Sequence, residues 1–200
     1  MSPQIAAVLA ARRRRHELRR PVSAVSAARL QAYEKSREEM RKLGKILRAY
    51  DKDSTGKLEQ ADLKKLLTDI NKGEEPTQEE TDFIMKLCDT SCENGAIDLS
   101  ELESAIESWK VYLRNKGDMQ EALDQFDTSG SGRLERDELK RYLVRLNGGK
   151  EVSADEVEYV LAHSDLFRDG ACSGTELVLA TAAWYTLVEK KEGAKSCSIL

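Results

Sequence analysis

Two stretches of this chain place oxygen atoms at one repeated spacing. Asp51 to Asp62 reads D-K-D-S-T-G-K-L-E-Q-A-D, and Asp127 to Glu138 reads D-T-S-G-S-G-R-L-E-R-D-E. Their first residues stand 127 − 51 = 76 positions apart. The first stretch offers carboxylates from Asp51, Asp53, Glu59 and Asp62, a hydroxyl from Thr55 and a backbone carbonyl at Lys57. The second offers carboxylates from Asp127, Glu135 and Glu138, hydroxyls from Ser129 and Ser131, and a carbonyl at Arg133. Oxygens at positions 1, 3, 5, 7, 9 and 12 of such a loop fold around one point, the shell a hard divalent cation takes. Position 6 must turn sharply, and Gly56 and Gly132 stand there.

On these residues each stretch resembles the calcium loop of an EF-hand, a loop held between two helices. The resemblance implies Ca²⁺ as the cofactor and residues 51, 53, 55, 57, 59 and 62, with 127, 129, 131, 133, 135 and 138, as its ligands. It also implies that the apolar residue at position 8, Leu58 or Leu134, forms a short strand beside a partner loop. The chain departs from the pattern at Asp62, where the family usually has glutamate. A shorter carboxylate loosens Ca²⁺ and eases six-coordinate Mg²⁺ at hand 1. Loop 3 keeps Glu138, but serines at positions 3 and 5 leave it fewer charges.

A search for repeats extends the pattern. Asn71–Asp89 aligns without gaps on Asn147–Asp165 at the same offset, after which Glu101 and Trp109 match Glu176 and Trp184 one position closer. The chain is therefore a duplicated pair of hands, with one extra residue between Asp89 and Gly95. The even loops are damaged. Loop 2 is either thirteen residues from Asp89 to Glu101 or twelve from Thr90, which puts Thr90 and Cys92 at ligand positions, poor donors for a hard cation. Loop 4 keeps Asp165, Asp169 and Glu176 at positions 1, 5 and 12 as a weak set, but has Phe167 at position 3, which gives no oxygen.

The elements that must position these loops are helices. Leu43, Ile46, Leu47 and Tyr50 before loop 1, and Met119, Ala122, Leu123 and Phe126 before loop 3, share one helical face each. Thr77 with Glu80, and Ser153 with Glu156, fit capping boxes. Asn115-Lys116-Gly117, with Asp118 as an N-cap, predicts an interruption between hands 2 and 3. The expected fold is all-α: two EF-hand pairs with short two-stranded loop pairings, joined by a hinge. Residues 1–27 form a basic arm, 28–114 and 118–190 the two pairs, and 191–200 a polar tail.

Charge is unevenly spread. Residues 1–30 hold seven arginines and one glutamate, a net +6, so the other 170 carry −4 − 6 = −10. Acidic lobes give no reason to expect a nucleic-acid partner, and no catalytic constellation stands out, so an enzyme is not expected. Cys88, Cys92, Cys172 and Cys197 lack a disulfide framework, and a reducing compartment follows. The last four residues, Cys197-Ser198-Ile199-Leu200, resemble a prenylation box, with Cys197 as the lipidated thiol. One lipid holds a protein only marginally, and Arg12–Arg15 could add attraction to an anionic membrane. The arm reads first as a disordered solvated tail, with a mitochondrial presequence and a basic helix docked on the protein's own acidic lobes as alternatives. The expected location is cytoplasmic with membrane attachment, or mitochondrial if the arm is a presequence. With methionines only at positions 1, 40, 85 and 119, the chain lacks a Met-rich promiscuous groove, and a sensor with a restricted protein target is expected. A calcium buffer and a constitutive light-chain-like subunit are the alternatives.

Overall fold

The computed structural model describes residues 24–91 and 94–197. Within them run seven helices and four short strands: α1 (Ala24–Tyr50), β1 (Lys57–Glu59), α2 (Gln60–Ile70), α3 (Gln78–Cys88), β2 (Ala96–Asp98), α4 (Leu102–Phe126), β3 (Arg133–Leu134), α5 (Arg136–Leu146), α6 (Ala154–Ser164), β4 (Cys172–Ser173) and α7 (Leu177–Cys197). The expected arm boundary is corrected, because α1 begins at Ala24 and takes in its last four residues. Arg12–Arg15 and Ser198–Leu200 lie outside the described residues, and so does Cys92.

The strands pair loop with loop. β1 runs antiparallel to β2 with Leu58 opposite Ile97, and β3 to β4 with Leu134 opposite Cys172. All four of these side chains are fully buried. Each ladder is confined to position 8 and its immediate neighbours, and its apolar cross-strand pair fixes the register. The Cys172 thiol sits in this apolar place, and burial pushes its pKa up, away from the reactive thiolate.

Local signals in the sequence build the helices. Both capping boxes are present: Thr77 and Ser153 accept from the backbones of Glu80 and Glu156, whose side chains accept in return. Helix α2 stops at Gly73, whose φ of 95° few other residues adopt, and whose N–H donates to the Thr68 carbonyl at 2.9 Å. Trp109 is fully buried and donates from Nε1 to the Leu67 carbonyl at 2.9 Å, so the indole satisfies its one donor inside the core. Trp184 closes the equivalent core of the second pair, with Leu134, Leu139, Leu143, Val160 and Leu177.

The expected interruption at residues 115–118 is not there, and α4 runs unbroken from hand 2 into hand 3. A glycine inside a helix costs only about 1 kcal/mol, and this stretch has compensations. Asn115 Nδ2 donates to the Val111 carbonyl at 2.7 Å. Lys116 Nζ reaches the buried Glu80 carboxylate of α3 at 2.8 Å. An added Cβ at Gly117 would meet nothing within 4 Å, so no crowding called for a break there.

The compact division of the chain falls inside α1, after Lys45. The described part of the first unit, residues 24–45, presents Leu30, Tyr33 and Met40 to solvent. The second unit, Ile46–Leu200, contains all four loops. Within it hands 2 and 4 touch: the Thr175 hydroxyl donates to Glu79 at 3.2 Å, and Lys86 Nζ stands 4.8 Å from the Phe167 ring centroid. The polar tail expected from residue 191 starts as helix, because α7 continues to Cys197. No described helix is long and apolar enough to cross a membrane.

Candidate metal sites

Loop 1 gathers around Asp51. Its Oδ1 accepts from Thr55 N at 3.0 Å and its Oδ2 from Gly56 N at 2.9 Å. The Thr55 hydroxyl lies 3.5 Å from Asp51 Oδ1 and 3.4 Å from the Lys57 carbonyl. Asp53 Oδ1 accepts from Thr55 N at 3.3 Å. Loop 3 repeats the arrangement around Asp127, which accepts from Gly130, Ser131 and Gly132 N–H groups at 2.8, 3.1 and 2.7 Å. Ser129 Oγ lies 3.1 Å from Asp127 Oδ1, and Ser131 Oγ 3.1 Å from the Arg133 carbonyl. Gly56 at φ 81° and Gly132 at φ 78° make the turn that aims these N–H groups inward.

The donor set fits a hard cation. Oxygens that each lie 2.3–2.6 Å from one ion stand roughly 3 Å from one another, and the hydroxyls and carbonyls above have that spacing. Desolvation pushes the Asp51 and Asp127 pKa values up, but hydrogen bonds, led by the N–H groups of Gly56 and Gly132, outweigh it and hold both low. Both are anions at neutral pH. Among the described residues no three Asp, Glu, His or Cys side chains gather at one point.

Position 12 separates the loops. Glu138 Oε1 accepts from Thr128 N at 2.9 Å and Ser129 N at 2.8 Å, while Oε2 accepts from Glu135 N at 3.0 Å. Burial tends to raise its pKa, and these bonds overcome that and bring it down to about 2. Glu101 and Glu176 make the same strap in loops 2 and 4, to Thr90, Ser91 and Asp98 and to Leu166, Phe167 and Ser173. Asp62 makes no such strap; its Oδ1 meets Lys65 Nζ at 2.9 Å. Glu59 and Glu135, at position 9, occupy the N-cap positions of α2 and α5.

The thirteen-residue reading of loop 2 is the structural one. Asp89 accepts from Gly95 N at 2.6 Å, six residues on, where Asp51, Asp127 and Asp165 accept from the glycine five residues on. Glu101 still bonds the two residues after Asp89, so the inserted residue lies between Ser91 and Gly95. In loop 4, Asp165 keeps its turn through Asp169 N at 3.0 Å and Gly170 N at 2.9 Å. Asp169 forms an ion pair with Arg133, and Phe167 lies under Lys86. Sequence reasoning used Arg133 only for its carbonyl and missed Lys65, although a basic residue three positions after an acid on a helix is a readable signal. Nothing in the sequence pointed to Lys86.

The family model for the EF-hand domain pair matches residues 40–107 and again 116–181. The chain belongs to the EF-hand family. It is similar to the rice (Oryza sativa subsp. japonica) protein named "Probable calcium-binding protein CML11", 26% identical over 149 residues, which covers 73% of this chain and 68% of that one. Secretagogin of Danio rerio is 30% identical over 161 residues, 68% of this chain and 58% of secretagogin. A calmodulin-like protein of Dictyostelium discoideum is 28% identical over 112 residues, 56% of this chain and 71% of that protein.

Proposed function

We infer that this EF-hand protein binds Ca²⁺ through loops 1 and 3 and acts as a sensor that engages a protein partner. The observation that carries this reading is the convergence, in those two loops, of hydroxyl and carbonyl oxygens 3.1–3.5 Å apart around an ionised aspartate at position 1. Loop 4 keeps its first aspartate but has turned positions 3 and 5 to other contacts, and loop 2 has an inserted residue. The names of the relatives support calcium as the cation. The reading is non-enzymatic: the protein's chemistry is reversible cation binding coupled to helix movement.

Calorimetry on the full chain should count about two calcium sites. Four comparable sites would overturn the loop assignment. Sensor and buffer separate by following helix content and apolar-dye binding during the same titration. A sensor gains dye binding with calcium, whereas a flat signal favours a buffer or fixed subunit. Among the described residues, the exposed Leu30, Tyr33, Met40, Val111 and Tyr185 are apolar groups a partner could cover. Attachment through Cys197 belongs to the same proposal: Cys197→Ser should release the protein from membranes of its native cell. An unmodified full-length mass there would remove this part of the reading.

A further inference from the structure

Loop 4 does not simply lack oxygen at its centre; basic side chains from other hands stand where a cation's influence would be felt. Asp169, at position 5, uses Oδ1 to accept from Ala171 N at 3.1 Å. Its Oδ2 pairs with the Arg133 guanidinium. Arg133 belongs to loop 3, and its register across the ladder is with Ser173 of loop 4. The Arg133 carbonyl faces its own loop, where the Ser131 hydroxyl donates to it at 3.1 Å. One residue thus serves both loops of the pair, by its carbonyl in loop 3 and by its side chain in loop 4.

We propose that the Arg133 guanidinium is the built-in cation of hand 4, neutralising Asp169 so that the hand is closed without metal and excludes one. The physical argument is competition. A guanidinium tethered two-dimensionally by a paired strand is present at high effective concentration and loses little freedom on pairing. A divalent ion entering loop 4 must displace it as well as find a substitute for the oxygen missing at Phe167. The second pair therefore holds one calcium for two reasons. Phe167 is the reason visible in the sequence, and Arg133 is the reason visible only once the loops are paired.

The inference rests on reading these loops as cation cages, so its test is arranged to work whether or not loop 3 binds. In the full chain, Glu138→Gln silences loop 3, and adding Phe167→Asp gives loop 4 oxygens at positions 1, 3, 5, 7, 9 and 12, that at 7 from the Ala171 backbone carbonyl. That double variant should bind Ca²⁺ weakly at loop 4 by calorimetry. Adding Arg133→Met, which keeps the loop 3 carbonyl, should tighten it at least ~10-fold, the scale on which ligand charge tunes these loops. Arg133→Lys should tighten it less than ~3-fold, and so should Arg136→Met, a neighbouring charge that pairs elsewhere with Glu158. An Arg133→Met gain under ~2-fold, or one matched by Arg136→Met, overturns the proposal. A second measurement needs no calcium. In chelator, Arg133→Met and Asp169→Asn should each lower the melting temperature, and the double variant should melt no lower than the worse single one. Fully additive losses overturn the proposal independently of any metal.

Discussion

Hands 1 and 3 have the same turning glycine, the same buried leucine and N–H bonds from positions 5 and 6 onto the first aspartate, yet one is strapped shut and the other is not. The difference is one methylene. Glu138 spans the loop and accepts three backbone N–H groups, whereas Asp62 falls short and rests on Lys65. The residue three positions on is basic in both hands, but its work differs. Arg141 donates to the Thr128 hydroxyl at 2.7 Å and stands 3.8 Å from Glu138, so it braces the strap from outside. Lys65 instead takes the short carboxylate for itself. A single side-chain length thus decides whether the exiting helix is tied to its own loop before any metal arrives.

The largest way to break this contrast is Glu138→Gln. The amide keeps the length but loses the charge and can accept through only one of its two heavy atoms. Loop 3 should lose calcium affinity by ~100-fold or more, because a bidentate carboxylate is removed from a loop already poor in charge. The metal-free second pair should lose about 1–3 kcal/mol, the cost of leaving buried donors unsatisfied. Calorimetry and chemical denaturation in chelator read the two effects separately. Loop 3 binding that survives unchanged would mean Glu138 is only a strap.

A second contrast lies between the capping glutamates, which occupy equivalent places in the two pairs. Glu80 is buried; desolvation acts to raise its pKa, but Lys116, the Thr77 N–H and the Tyr112 hydroxyl prevail and lower it. Glu156, more exposed, is lowered first by Lys191. A lowered carboxylate contributes stability that is complete above its ordinary pKa and fades as pH falls through the lowered one. Both pairs should therefore weaken on acidification below about pH 4.5. Glu80→Gln should cost about 1.5–3 kcal/mol near neutrality, by the loss of charged hydrogen bonds, and remove part of that acid sensitivity. Glu156→Gln should cost less. Equal costs would show that the burial of Glu80 contributes nothing.

The reverse exchange sharpens the first comparison. Asp62→Glu should let position 12 of hand 1 reach across as Glu138 does, tightening Ca²⁺ by ~10-fold and shifting preference away from Mg²⁺. Competition calorimetry with both ions measures this. If neither ion's affinity moves, side-chain length is not what limits hand 1.

The sequence carried the fold because its signals are local and repeated. Glycines at position 6, leucines at position 8 and serine or threonine caps three residues before glutamate each act within a few positions, and all recur at one offset. The break at Gly117 was misread because a helix interior tolerates glycine when long-range partners hold it, and Lys116 finds such a partner in Glu80, thirty-six residues away (116 − 80). Arg133 with Asp169 and Lys86 with Phe167 were illegible for the same reason. They join residues that become neighbours only after loops pair and hands 2 and 4 meet. Ligand oxygens are written in order along the chain, whereas the cations that replace a metal come from other hands.

The smallest expected effect isolates Lys65. Its pairing with Asp62 is largely solvent-exposed on the lysine side, and exposed pairs are worth only about 0.2–1 kcal/mol. Lys65→Ala should nevertheless act in a defined direction, because it frees the one carboxylate hand 1 has at position 12 and removes a positive charge beside the cation. Loop 1 should bind Ca²⁺ about 2-fold more tightly, with less gain at high salt, where the removed charge was already screened. The effect should vanish in an Asp62→Asn background, since the lysine then has no carboxylate to withhold. A loss of affinity instead would reverse the reading of this contact: Lys65 would be holding Asp62 in place for the metal, as Arg141 braces Glu138, and the two hands would differ in reach alone.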